Sequence, residues 1–173
     1  MRQDKTDNIT LVRNTETFTS IATHLNVLGY TYTVKVLTCQ VTEANKLVSQ
    51  ALQLPLASQV FELRRLVIVD NVPKVLEHTY IPYSLVPGIE QMDFTNQSLY
   101  QLLRGPYKLA VANSEESILI SEASEEEKEL LHLKGDEVMV INGLSTDQRG
   151  IPTESYQNIA ATDFFVFRSV MEE

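Results

Sequence analysis

Between Gln59 and Ile81 the chain carries two stretches rich in β-branched and apolar residues, separated only by Asp70-Asn71-Val72-Pro73. Such residues favour extended backbone with a buried face, and Asp-Asn followed by Pro is turn chemistry. The pattern predicts a strand over Gln59 to Asp70, a turn, and a return strand over Lys74 to Ile81. The two strands should pair as an antiparallel hairpin.

The flanking segments give the fold class. Phe18, Ile21, Ala22, Leu25 and Leu28 recur at a helical period, so a helix is predicted there, capped by Thr17 or Thr19 and stopped by Gly29. Tyr30 to Val41 reads as a strand. Thr42 opens a second helix with the buried stripe Ala44, Leu47, Val48, Ala51 and Leu52. Ser84 to Gly88 is a turn or short helical loop. Thr95 or Ser98 starts a short helix bearing Leu99, Leu102 and Leu103, which Gly105-Pro106 stops. Tyr107 to Ile120 holds an extended segment. Ser124 and Glu127 form a capping box ahead of Leu130, Leu131 and Leu133. Strands then follow over Glu137 to Thr146, Pro152 to Ala160 and Phe164 to Val170, the first two joined by the turn Asp147 to Gly150. This order, with hairpin turns between neighbours, predicts an α+β domain: a mainly antiparallel sheet with flanking helices.

Composition narrows the function classes. At 173 residues the chain is one domain. Its net charge of -9 argues against a direct grip on a phosphate backbone, which needs a clustered basic face. One cysteine, Cys39, cannot form an internal disulfide, so a cytoplasmic location is expected. No apolar run approaches membrane-spanning length, and no membrane partner is expected. Residues 1–14 are expected to be a linker remnant or disordered tail, with the domain proper at 15–173.

The residues that carry enzyme chemistry are sparse. There is no Gly-rich phosphate loop and no nucleophile elbow. His24, His78 and His132 lack metal-ligand spacing with one another or with Cys39, so neither a metal nor another cofactor is expected. Cys39, inside a strand, reads as an inert thiol. Glu125-Glu126-Glu127 reads as a solvated helix start favoured by the helix dipole. One residue breaks a local rule. Phe61, Leu63, Arg65, Val67 and Val69 alternate onto one face of the first hairpin strand, and a guanidinium there is costly unless an anion meets it. Arg64 falls on the other face with Glu62 and is expected to be solvated. Glu77 shares a face with Val75, Thr79 and Ile81 on the return strand. Hairpin pairing makes it either the ion-pair partner of Arg65 or an acceptor for ligand hydroxyls. Glu154 is a further carboxylate, on a later strand with Tyr156.

The run from Leu63 to Gly88, LRRLVIVDNVPKVLEHTYIPYSLVPG, resembles the effector-binding UTRA domain of GntR-type bacterial transcription regulators of the HutC subfamily. The elements that carry the resemblance are Arg65, Pro73, Glu77, Tyr80, Ile81, Pro82, Pro87 and Gly88. Thr17-Phe18-Thr19, Ser98-Leu99-Tyr100, Gly150 to Glu154 and Asp163 to Phe167 resemble further family motifs, in the family's order. The resemblance implies a chorismate lyase-like α+β fold and a non-enzymatic, homodimeric sensor. Its ligand would be a sugar, sugar phosphate or other small acid, held by Thr17, Thr19, Arg65, Glu77, Ser98, Tyr100 and Glu154. DNA would be reached only through an N-terminal winged-helix domain, which residues 1–14 have no room for. Val67 stands where the family's sugar-phosphate readers carry a second arginine, and Ala161 starts what is elsewhere Arg-Gly-Asp. Both departures remove positive charge from the expected anion site and favour a less charged sugar or small acid. The alternatives are a lyase on the same fold and a dimerisation module without a ligand.

Overall fold

The computed structural model describes residues 9–14, 20–95 and 97–170. Its elements run β1 (Leu11–Asn14), α1 (Ile21–Leu28), β2 (Tyr32–Glu43), α2 (Lys46–Ala51), β3 (Gln59–Val69) and β4 (Val72–Pro82). After two short 3-10 turns come α3 (Leu99–Arg104), β5 (Asn113–Glu122), α4 (Glu125–Leu131), β6 (Glu137–Thr146), β7 (Pro152–Ala161) and β8 (Phe165–Arg168). Six strands form one sheet in the order β2-β3-β4-β7-β6-β5, and every neighbouring pair is antiparallel. The expected α+β class on an antiparallel sheet is what the chain builds.

The central hairpin turns more tightly than its proline implies. Val69 pairs with Val72, so the loop is only Asp70-Asn71, both with positive φ of 48° and 68°. That left-handed pair matches the twist of a two-residue hairpin, and Asp and Asn tolerate it best after glycine. Pro73 therefore lies inside β4, at a register irregularity where its missing N–H does little harm.

Side chains sort cleanly onto the two faces of the sheet. On one face Phe61 and Leu63 join a core with Ile81, Phe94, Leu99 and Leu103. Further along the same face, Val67 and Val69 join a second core with Leu11, Ile21, Leu25, Val75 and Phe164. Arg65 sits in the step between these two clusters. The opposite face is covered by α4 over Leu66, Leu76, Val140 and Ile159, and by α2 over Val60. There Arg64 is not simply solvated: its two terminal nitrogens grip Glu126 at 2.6 and 2.9 Å, tying β3 to the first turn of α4. Glu125, Glu126 and Glu127 do occupy that first turn, and Ser124 and Glu127 close the capping box.

Three expectations shift at element boundaries. β2 continues through Thr42 to Glu43, and Asn45 caps α2 by accepting a bond from the Val48 N–H at 3.0 Å. The closing strand is shorter than Phe164 to Val170: β8 spans Phe165–Arg168 and pairs in parallel with β1 in a separate two-stranded sheet. The tail reading of residues 1–14 fails over Leu11–Asn14 for the same reason. Leu11 is fully buried, because its apolar side chain completes the core under α1.

Candidate functional site

Where the two apolar clusters part, the sheet carries polar side chains under a cavity of about 300 Å³. The strand register dictates its floor. Arg65 on β3 lies opposite Glu77 on β4, which lies opposite Asn158 on β7. One step along, Thr79 faces Tyr156, Tyr156 faces Gly143 on β6, and Gly143 faces Glu116 on β5. A further step pairs Ser145 with Glu154. The starts of α1 and α3 roof the cavity, through Ser20, Ile21 and Ala22, and through Ser98, Leu99 and Tyr100.

Arg65 and Glu77 meet as the hairpin requires. Nη2 lies 2.6 Å from Oε2, with the two side chains 12% and 14% exposed. The contact is one of charge, since its angles leave Oε2 without an aligned hydrogen bond. A burial this deep costs each ion much of its hydration, which the pairing offsets only in part.

Glu154 is the most enclosed charged residue of the site, at 1% exposure. The Tyr100 hydroxyl donates to it within 2.9 Å and the Ser145 hydroxyl at 3.1 Å. Burial pushes its carboxyl up to about 7, and the nearby Glu77 charge adds to this; the two hydroxyls and Arg65 pull the other way. Burial also pushes the Tyr100 and Tyr156 phenols up, so both stay hydrogen-bond donors across the physiological range.

A second guanidinium enters from β1. Arg13 Nη2 donates to Glu116 Oε1 at 2.8 Å, and the guanidinium carbon stands 5.7 Å from the centre of the Phe167 ring. Its Nη1 is buried and has no hydrogen-bond partner. Glu116 also accepts from the Tyr156 hydroxyl at 2.6 Å, and that hydroxyl lies 3.0 Å from Ser114 Oγ.

Gly143 makes this arrangement possible. A Cβ there would run into the Tyr156 ring, which lies directly across the glycine. Gly143→Ala is therefore expected to expel the ring, break its bond to Glu116 and lower stability by about 2 kcal/mol. Urea denaturation checks this; an unchanged midpoint contradicts it.

Of the residues singled out in the sequence, Arg65, Glu77, Ser98, Tyr100 and Glu154 all line this one cavity. Thr17 and Thr19 lie outside the described residues. Ser20, not either threonine, is the N-cap of α1, its hydroxyl accepting from the Thr23 N–H. Ser98 stands at the N-cap of α3 but makes no side-chain cap bond. Arg13, Glu116, Tyr156 and Asn158 also line it and were not singled out as site residues in the sequence. The other chemistry-bearing residues lie elsewhere. His78 bonds Glu62 at 2.8 Å on the opposite face, beside an open groove of about 500 Å³ that it lines with Tyr80, Asn142 and Gln157. Cys39 is half-buried, its thiol pushed up by burial and directed at the Glu90 carbonyl. Among the described residues no group of side chains could hold a metal ion, and no helix is long and apolar enough to cross a membrane.

Known proteins share this architecture. The structure of PhnF from Mycobacterium smegmatis superposes with a TM-score of 0.84 at 20% identity, over 94% of this chain and 72% of that one. The C-terminal domain of Yurk from Bacillus subtilis gives 0.73 at 25% identity, over 78% of this chain and 93% of that domain. In sequence, the HTH-type transcriptional regulator GmuR of Bacillus subtilis is 28% identical over 137 residues, 79% of this chain and 57% of GmuR. The uncharacterized HTH-type transcriptional regulator YurK is 29% identical over 96 residues, 56% of this chain and 40% of YurK. The chain thus spans about half the length of the curated relatives it matches. The sequence pattern of the UTRA domain runs through residues 27–165, from the end of α1 to the start of β8, and takes in the whole six-stranded sheet. With that span matched, the chain belongs to the UTRA domain family.

Proposed function

We propose that this domain is the effector-sensing and dimerising part of a GntR-type regulator of the HutC subfamily. It works in the cytoplasm, and a winged helix-turn-helix domain outside this chain contacts the operator. The observation that carries the reading is the cavity beside Arg65. Two guanidiniums, three carboxylates and the start of α1 converge there on a concave space set between two apolar clusters. Small-molecule sites have this make-up: a concave, pre-formed space with a few well-placed polar groups. Helix starts supply N–H donors, guanidiniums bind acceptor oxygens in pairs, and carboxylates accept hydroxyls.

Signalling then needs only differential affinity. An effector that binds one arrangement of the dimer better shifts the population toward it, and the spacing of the two DNA-binding arms changes with it. The roof is suited to this, since Ser20 to Ala22 and Ser98 to Tyr100 come from separate helices that a bound molecule bridges.

A thermal-shift screen of small metabolites tests the reading. A ligand at about a hundred times its dissociation constant stabilises the domain by about 2.7 kcal/mol. A broad screen without any stabilising compound, on protein that light scattering shows to be a stable dimer, would support a dimerisation module without a ligand instead.

A further inference from the structure

The charges around the cavity are unbalanced in a way that bears on what it accepts. Arg65 already faces Glu77, and Arg13 already faces Glu116, each within 2.8 Å. Among the described residues no cation forms an ion pair with Glu154, which feels Arg65 only at longer range; the bonds it accepts come from the neutral hydroxyls of Tyr100 and Ser145. With Glu154 ionised, three carboxylates stand against two guanidiniums. A phosphoryl group entering this space meets like charge, and among the described residues the one open guanidinium nitrogen, Arg13 Nη1, belongs to a cation whose charge Glu116 already offsets; like charges brought together out of water are strongly disfavoured. Hydroxyl groups meet the opposite situation. An ionised carboxylate has about four acceptor sites, and Glu116 gives one oxygen to both Arg13 and Tyr156, which leaves acceptor capacity in its second. The N–H groups at the start of α1 serve a hydroxyl oxygen as readily as an anion, and the rings of Tyr32, Tyr100 and Tyr156 offer flat apolar surface.

Resting on the sensor reading, we propose that the cavity takes an uncharged, polyhydroxylated ligand, a sugar without a phosphoryl group, and that Glu77, Glu116 and Glu154 together reject a phosphate. Glu116 is then a specificity determinant, because it neutralises the one guanidinium that β1 brings to the site.

The test uses this domain and two sets of probes at about pH 8, where Glu154 is ionised. In the first set, mono- and disaccharides are compared with their own phosphates by thermal shift and calorimetry. At least one unphosphorylated sugar is expected to bind about tenfold or more tighter than its phosphate. In the second, inorganic phosphate is titrated against chloride at matched ionic strength. Phosphate should stabilise the wild-type domain no more than chloride does, while Glu116→Gln, which frees Arg13, should gain a phosphate-specific stabilisation. Tighter binding of sugar phosphates, stabilisation of the wild type by phosphate, or binding only of an unrelated small acid overturns the proposal and leaves the sensor reading standing. Silence of every compound in the wider metabolite screen overturns both. Should Glu116→Gln fail to fold, the wild-type comparison of sugars with their phosphates decides alone.

Discussion

Arg65→Ala is expected to abolish effector binding and to lower stability by about 3 kcal/mol. Both effects follow from its position. The guanidinium stands between two apolar clusters on a largely buried face, 2.6 Å from Glu77. Removing it leaves Glu77 charged, poorly hydrated and unpaired, and breaking a buried pair costs more than the pair itself is worth. Calorimetry with a compound from the metabolite screen measures the loss of binding, and denaturation in urea measures the loss of stability. The double change Arg65→Met with Glu77→Leu separates them. It should recover much of the stability, since apolar groups can replace a buried pair, yet still fail to bind. Undiminished binding by Arg65→Ala would place the effector elsewhere.

Glu154→Gln should stabilise the domain, and only at higher pH. Burial raises the carboxyl from 4.5 to about 7 in the folded protein. The folded state therefore keeps a proton that the unfolded chain releases from about pH 4.5 upward, and stability falls as pH rises through that window. Above about 7 the loss is complete and amounts to about 3 kcal/mol. Glutamine cannot ionise but still accepts from the Tyr100 and Ser145 hydroxyls. The variant should thus match the wild type below about pH 4.5 and exceed it by about 3 kcal/mol near pH 8. Denaturant midpoints across this range give the answer; a difference independent of pH, or one growing toward acid, contradicts the account. A buried carboxylate kept at such cost to the unliganded fold is consistent with a binding role, because sites shaped for ligands are commonly not optimal for stability.

What the sequence disclosed about the site depended on the range over which each residue's placement is decided. Arg65 was legible because strand alternation is local, and four apolar neighbours fixed its face. Glu77 followed from the hairpin, where pairing needs only the adjacent strand. Tyr100 and Glu154 came through motifs resembling the UTRA family and not through any periodicity. Arg13 was hidden, since it reaches the cavity only because β1 pairs with β8 at the far end of the chain. A four-residue strand leaves no periodic signal of its own. Glu116 was equally hidden: β5 is an edge strand with polar residues on both faces, so nothing in its pattern marks an inward side. Tyr156 was noticed only as a neighbour of Glu154, and Gly143, whose missing side chain lets the ring lie flat, went unmarked. The fold class was clearer than the site because it rests on the sum of many turns and stripes. The shifted boundaries at Asn45 and Asp70-Asn71 changed no strand neighbour.

The most direct measurement of the central claim is a crystal structure of the domain with a compound that stabilises it. The account predicts ligand density within hydrogen-bond distance of Arg65 or Glu154, beneath the starts of α1 and α3. Density in the groove beside His78 and Tyr80 on the opposite face, with the Arg65 cavity unchanged, would contradict it.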